Sequence, residues 1–477
     1  MKPAVAPPEA PPSFPRVALR ARPVVIAAAA LGLVVLVAFI YRDAARSYFF
    51  NDDFQWLRGA RDFAAANLLH IERYNHFYRP IIEIYFYLGR GLFGCNAFPF
   101  HVASIAIHLV NTLLLYLFAR TLTGSEPFAG LAALFFAVQP GHAEAVAWVG
   151  AITDLLPALW YLLAIWTHLL FLRPPALASI AGQLRRDASP RLATPSWAGE
   201  GGRGGARYYV VSLAAFTACL LTHESSATLL PMMVALEATV AWESRAPVSV
   251  RSIVARAARY APFVLLLAAY LVVSYVVNSR SYLVREGHYQ IGWHAVPHAI
   301  QYLITLYVGT RGLASQLFVV ALVALLLARG TPRIRFFTLW MLVTIAPASF
   351  FTWGNVSRYL YLPAAGFALL LAEAVLAVRR LLARHTSRHT ARAIAIAVAT
   401  VLAVRFAIFA AKVPAGFREW TRPYERYVEA VRKATAAAPS AAVISLDAAD
   451  LEGIPVIYRD PAAEVASCGP DVHVVAR

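Results

Sequence analysis

Charge is scarce in this chain. Of its 477 residues 14% are Asp, Glu, Lys or Arg and 60% are hydrophobic; a soluble domain carries about 25% charged residues. So little polar surface cannot cover a water-soluble fold of this length, which excludes a soluble globular protein. Acidic residues are scarcer still, 26 against 43 basic ones, for a formal charge of +17. In a soluble protein that excess would point to nucleic acid. Here the basic residues lie in short connections between apolar runs, the pattern of a membrane protein, and nucleic acid is not expected as a partner. The three cysteines, Cys95, Cys219 and Cys468, are too scattered for a disulfide framework. Cys95 and Cys219 stand in apolar surroundings and are expected to be buried thiols. No internal repeat is visible, and no low-complexity tract beyond the Gly-rich 199–205.

What the chain does have is apolar runs of about 17 to 25 residues, the length that crosses a bilayer core. Hydrocarbon cannot hydrogen-bond a backbone, so such runs must be helical. A barrel would show alternating segments of about ten residues instead. The runs fall at 23–41, 98–120, 127–141, 151–172, 207–222, 224–242, 259–278, 312–328, 335–352, 357–378 and 393–411, eleven in all. The expected fold class is therefore an all-α polytopic membrane protein. A disordered cytoplasmic leader is expected at 1–21, a membrane domain at 22–411 and a small tail at 412–477. In the tail, Ala442–Leu446, Pro455–Tyr458 and Val472–Ala476 read as short strands of an α/β appendage. With the N-terminus inside, the inner segments 1–22, 120–127, 173–207, 243–259, 329–335 and 379–392 carry 23 Lys and Arg, and the outer loops 42–79, 141–153, 279–293 and 353–358 carry 9. That asymmetry favours a cytoplasmic N-terminus and a periplasmic C-terminus. It requires that 294–310, which holds His294, Pro297 and His298, does not cross. Residues 54–74 show helical apolar spacing and 79–94 are apolar but short; both are expected along the outer interface.

Charged residues at membrane depth or at its rim are costly, so they are the first candidates for chemistry. Asn51-Asp52-Asp53 follows the first run. Adjacent carboxylates repel, which suits one of them to act as a general base or both to a metal site; the same pair would also cap a helix. Tyr78-Arg79-Pro80 sets a guanidinium at the outer rim, where a phosphate would be held in bidentate fashion. Pro140-Gly141 breaks a run just before His142 and Glu144, with Asp154 close behind, and such breaks are tolerated where they line a cavity. His142 and Glu144 have no third and fourth metal ligand at fitting spacing. His223-Glu224 lies between two runs, and Arg358 follows Trp353-Gly354-Asn355. Together these residues put carboxylates, His and Arg on one face of an apolar bundle, as a phosphate-linked lipid substrate requires.

At these positions the chain resembles the GT-C fold membrane glycosyltransferases, and within them the protein O-mannosyltransferases, the transmembrane-TPR mannosyltransferases and their bacterial relatives. The resemblance spans roughly 45–380. It rests on Asp52-Asp53, on Tyr78-Arg79-Pro80, on Ala132 to Leu156 with Phe136, Pro140, His142, Glu144 and Asp154-Leu155-Leu156, and on Arg358-Tyr359-Leu360-Tyr361-Leu362-Pro363. It implies a GT-C-like fold with Asp52 or Asp53 as the catalytic base. Arg79, His142, Glu144, Asp154, His223, Glu224 and Arg358 are then the substrate-binding residues. Two departures stand out. His223 replaces the Lys frequent before Glu224, so a phosphate contact there would depend on pH; and no TPR repeats follow the last run, which weakens a protein acceptor.

The function expected is inverting transfer of a sugar from a polyprenyl-phosphate donor to an acceptor at the outer face of a bacterial inner membrane. The acceptor is a glycan, lipid or protein. No motif demands a cofactor; Mg or Mn is the cation that the carboxylates would accept. The reading from another class is a polytopic transporter or lipid flippase.

Overall fold

The computed structural model describes residues 23–69, 71, 77–172, 204–244, 249–310, 312–353, 356–437, 443–468 and 473–476. The expected leader 1–21 and the basic stretch 173–203 lie outside the described residues.

Helix dominates. Its elements are α1 Pro23–Ile40, α2 Asp52–Arg61, α3 Pro80–Phe93, α4 Ala97–Thr123, α5 Glu126–Ala137, α6 Ala143–Ala147, α7 Ile152–Leu172, α8 Gly204–Leu220 and α9 Leu229–Glu243. They continue as α10 Val250–Asn278, α11 Tyr282–Arg285, α12 Ala295–Tyr307, α13 Leu313–Arg329, α14 Pro332–Ser349, α15 Pro363–Leu382, α16 Arg388–Ala437 and α17 Val456–Ser467. Two strands, β1 Val443–Leu446 and β2 His473–Ala476, pair in parallel.

Every one of the eleven apolar runs falls on helix. Among the described residues, five helical stretches are long and apolar enough to cross a membrane: Ala97–Thr123, Val149–Leu172, Glu224–Glu243, Ile253–Asn278 and Arg388–Ala437. Four shorter apolar helices accompany them, Val24–Ile40, Glu126–Ala137, Gly205–Leu220 and Leu313–Arg329. Local chemistry sets several ends. The Asn96 side chain accepts from the Phe98 N–H to start α4, and Gly124 closes it in the left-handed region at φ +66°. Ser125 then caps α5, accepting from the Phe128 N–H. That helix stops before Pro140, which has no N–H to donate. In the core, α7 packs against α4 and α8, and α15 packs between α5 and α14. Gly366 permits the last approach: a Cβ there would stand 2.9 Å from the Phe337 carbonyl oxygen.

The short helix α12 covers 13 residues, about 20 Å at 1.5 Å per residue, less than the hydrocarbon thickness. Its histidines are used locally. His294 Nε2 and His298 Nδ1 lie 3.1 and 3.3 Å from the carbonyl oxygens of Phe350 and Ser349 at the end of α14.

Three expectations are corrected. The helix read over 54–74 ends at Arg61, because Phe63 leaves the helical line to pack on Tyr87 of α3, ring centroids 4.5 Å apart. Pro455–Tyr458 is the start of α17 and not a strand; Pro455 precedes the first turn, where a missing N–H costs nothing. And Cys95 is not a free thiol: it forms a disulfide with Cys468, 373 residues away, whereas Cys219 is a buried thiol. Residue 412, where the tail is expected to begin, lies inside the 50-residue α16. At about 75 Å this helix is far longer than a bilayer core requires, and it carries the β1–α17–β2 unit on its end.

Candidate active site

The turn between α1 and α2 is built around Asn51. Its backbone holds φ +47°, rare for a residue with a side chain, and its Oδ1 accepts the Tyr424 hydroxyl of α16. This turn sends the two aspartates in different directions. Asp53 points inward, is fully buried, and accepts the Phe50 N–H at 2.8 Å through Oδ2. A Cβ on Gly150 would stand 2.7 Å from Asp53 Oδ1 and 3.2 Å from the Trp148 ring, so a side chain there would have to displace the carboxylate. Burial holds the Asp53 carboxyl well above the usual carboxylate range. Asp52 instead lines a cavity of about 1180 Å³. Its Oδ1 accepts the Tyr458 hydroxyl at 2.6 Å.

Two arginine–carboxylate groups border the same cavity. Arg79, just before α3, donates through Nε and Nη2 to Glu224, at 3.2 Å and 2.8 Å to Oε2, with its guanidinium 3.9 Å from the centre of the Phe77 ring. The Ile81 N–H, donated to the Leu221 carbonyl at 3.2 Å, fixes the start of α3 to the end of α8. Arg358 donates from Nη1 to Glu144 at 3.3 Å, and its Nε lies 3.7 Å from Asp154. Ser357 donates its hydroxyl to the other oxygen of Glu144. Trp148 joins this group to the Asp52 turn: its ring underlies Arg358 at 4.9 Å, and its Nε1–H donates to the Phe50 carbonyl at 3.2 Å.

The structure thus brings Asp52, Arg79, Asp154, His223, Glu224 and Arg358 to one cavity, with Glu144 bound to Arg358 at its edge. It does not bring Asp53 or His142 there. His142 is fully buried against His108, Phe136 and Tyr361, with no hydrogen-bond partner on either ring nitrogen. At His223, Nδ1 accepts the Ser225 N–H at 3.1 Å. Burial, then the charges of Arg79 and Arg358, push this imidazole down to about 3. These effects disfavour the charged form that a pH-dependent phosphate contact would need. Among the described residues no three His, Cys, Asp or Glu side chains converge as metal ligands; Glu144 and Asp154 both face the single guanidinium of Arg358.

The cavity has a polar end and an apolar flank. Leu271 and Tyr275 of α10 line it, and both also face outward, at 48% and 77% exposure. A ligand with a charged head and a hydrocarbon chain would fit such a shape, the head among the arginines and the chain along α10. Sequence reasoning placed Trp148 and Ser357 only in the flanks of candidate motifs and missed Tyr458 altogether. Trp148 stands within the matched stretch, whereas nothing in the sequence signals that Tyr458 returns to Asp52 from 406 residues away.

No protein-family profile matches the chain. Human protein O-mannosyl-transferase TMTC1 is 39% identical over 92 residues, 19% of this chain and 10% of that protein. Its mouse counterpart is 35% identical over 115 residues, 24% of this chain and 12% of that protein. The chain therefore spans about a tenth of the length of the curated relatives it matches. Among solved structures, apo ArnT from Cupriavidus metallidurans superposes with a TM-score of 0.51 at 16% identity, over 95% of this chain and 86% of that one. Likeness to ArnT along nearly the whole chain shows a shared fold, and likeness to the O-mannosyltransferases covers a shorter stretch.

Proposed function

We propose that the protein transfers a sugar from a polyprenyl-phosphate donor to a hydroxyl acceptor at the outer face of a bacterial inner membrane. The observation that carries this reading is the single cavity bordered by Asp52, two arginine–carboxylate groups and an apolar helix flank. Arg79 and Arg358 receive the donor phosphate, and the isoprenoid chain lies along α10. Neutral His223 offers a hydrogen bond rather than a charge. Asp52 takes the proton of the acceptor hydroxyl as its oxygen attacks the anomeric carbon. The bond from that carbon to the phosphate oxygen breaks, and polyprenyl phosphate leaves with the electron pair, so the anomeric centre inverts. Arginines at the border of the cavity stabilise the charge as it develops. Glu144, Asp154 and Glu224 hold them in place.

On this reading the eleven apolar helical runs cross the membrane, with the N-terminus cytoplasmic and the tail periplasmic. The 23 to 9 distribution of basic residues supports that orientation. So does the disulfide between the α3–α4 turn and the tail, since disulfides persist in oxidising compartments.

The test is a donor assay. Detergent-purified protein is given polyprenyl-phosphate mannose, and in parallel other polyprenyl-phosphate sugars, with membrane extract as the acceptor source. Release of polyprenyl phosphate with sugar appearing in a new product is the expected result. Intact donor in all arms, together with movement of the lipid across reconstituted vesicles, would replace transfer by flipping.

A further inference from the structure

The tail reaches Asp52, which lines the cavity, and nothing in the transfer chemistry above requires it to. Among the described residues, Tyr458 is the one side chain that hydrogen-bonds Asp52, its hydroxyl donating to Oδ1 at 2.6 Å. Tyr458 sits in the first turn of α17, and the same helix is fastened to α2 a second time. Glu464, 3% exposed, pairs with Arg58 at 3.3 Å and Arg61 at 3.5 Å. Tyr458 opposite Asp52 and Glu464 opposite Arg58 and Arg61 set the two helices side by side in the same direction. At the far end Cys468 is bound covalently to Cys95. On its other side α17 is held by α16: the Tyr427 hydroxyl donates to the Arg459 carbonyl at 2.7 Å and Arg432 Nε to the Ala466 carbonyl at 3.1 Å.

We propose that Tyr458 is a positioning residue for Asp52, and that the disulfide and the Glu464 ion pairs clamp α17 so that its hydroxyl stays in place. The inference rests on the transfer reading. A carboxylate in the first turn of a short helix would otherwise turn freely among its rotamers. With Oδ1 held by a phenol, one rotamer is selected and Oδ2 is left to take the acceptor's proton. General-base efficiency depends on such geometry, and a small misplacement is expensive in rate. The membrane part alone would thus carry every charged residue of the cavity and still lack the contact that orients its base.

The test uses the full-length protein with Tyr458→Phe, Cys468→Ser and the double variant. Tyr458→Phe should lower turnover about tenfold or more, the loss of one hydrogen bond to a charged group, with the donor KM within about twofold of wild type. Cys468→Ser should lower turnover less, and the double variant should be no slower than Tyr458→Phe, because both act through one contact. A purely structural tail would move expression and melting but give multiplying losses in turnover. Turnover of Tyr458→Phe within twofold of wild type, or independent losses in the double variant, overturns the proposal. A readout without turnover accompanies it: melting shifts of Tyr458→Phe in the wild-type and Asp52→Ala backgrounds. A shift that shrinks when Asp52 is absent supports the contact, and equal shifts refute it. Should wild-type protein transfer no sugar while the melting shifts are coupled, the transfer reading fails and the hold of Tyr458 on Asp52 stands.

Discussion

The described residues include two buried charge clusters, one at the turn that leads into α9 and one within that helix, and they are built differently. At the turn, Glu224 pairs with Arg79 beside a cavity of about 1180 Å³, and Arg358, Glu144 and Asp154 border the same space. Thirteen residues along, Glu237 is 8% exposed and surrounded. Arg259 reaches it at 2.9 Å, Arg256 at 3.5 Å and the Tyr260 hydroxyl at 2.8 Å, while His168 meets that hydroxyl at 3.1 Å. The second cluster has no place in the lining of the large cavity. A buried charge is therefore not a site by itself. Its neighbours decide: at Glu237 they spend their hydrogen bonds on one another, whereas at Arg79 and Arg358 they leave charged groups bordering a space for a ligand.

That contrast can be broken by substitution. Glu237→Gln leaves two arginines without a carboxylate, and breaking a buried pair costs about 3–5 kcal/mol. The expected outcome is a large fall in the melting temperature with turnover per folded molecule unchanged. Arg79→Lys keeps the charge opposite Glu224 but loses the bidentate fork. It should leave melting nearly unchanged and raise the donor KM about 10- to 100-fold, the worth of one hydrogen bond to a charged group. Steady-state kinetics and thermal melts on both variants settle the matter. Lost catalysis in Glu237→Gln, or lost stability with unchanged kinetics in Arg79→Lys, would reverse the assignment of the two clusters.

The smallest effect concerns His223, on the cavity side. Its imidazole is pushed down to about 3, below the value of about 6.5 in an unfolded chain. The unfolded state therefore binds the extra proton more readily. The stability linked to this group is fully present above about pH 6.5 and is lost as pH falls toward 3. His223→Gln should make the melting temperature less sensitive to acid across that window. Donor affinity between pH 6 and 8 should show no step from this residue. A step that His223→Gln abolishes would restore the pH-dependent phosphate contact expected from the sequence.

Much of the fold was legible because the bilayer imposes length and apolarity together, and each of the eleven runs is helical in the structure. The convergence of residues on one cavity was legible where short motifs carried it: Asp52, Arg79, Glu224 and Arg358 each stand beside a proline, a helix end or a second charge. Three things were not. His142 reads as a site residue, yet the break at Pro140-Gly141 turns it inward against Tyr361. Asp53 reads like its neighbour, yet one residue along a helix turns the side chain by about 100°, from the cavity edge into the core beneath Gly150. The Cys95–Cys468 link and the Tyr458 contact join residues separated by most of the chain, and no local pattern reports such a pairing. The turn at Arg61 and the helix at Pro455 show tertiary packing overriding local periodicity.

The central claim is that Asp52, and not Asp53, is the base. Sugar transfer by Asp52→Asn and Asp53→Asn, measured at matched amounts of folded protein and saturating donor, tests it directly. Asn fills the same space and caps a helix as well as Asp does, so neither change should unfold α2. Asp52→Asn should reduce transfer by about 10²–10⁴-fold, as loss of a general base does. Asp53→Asn replaces a buried carboxyl that is held toward its neutral form and should keep activity within a few fold of wild type. Full activity in Asp52→Asn, or loss confined to Asp53→Asn, would contradict the account.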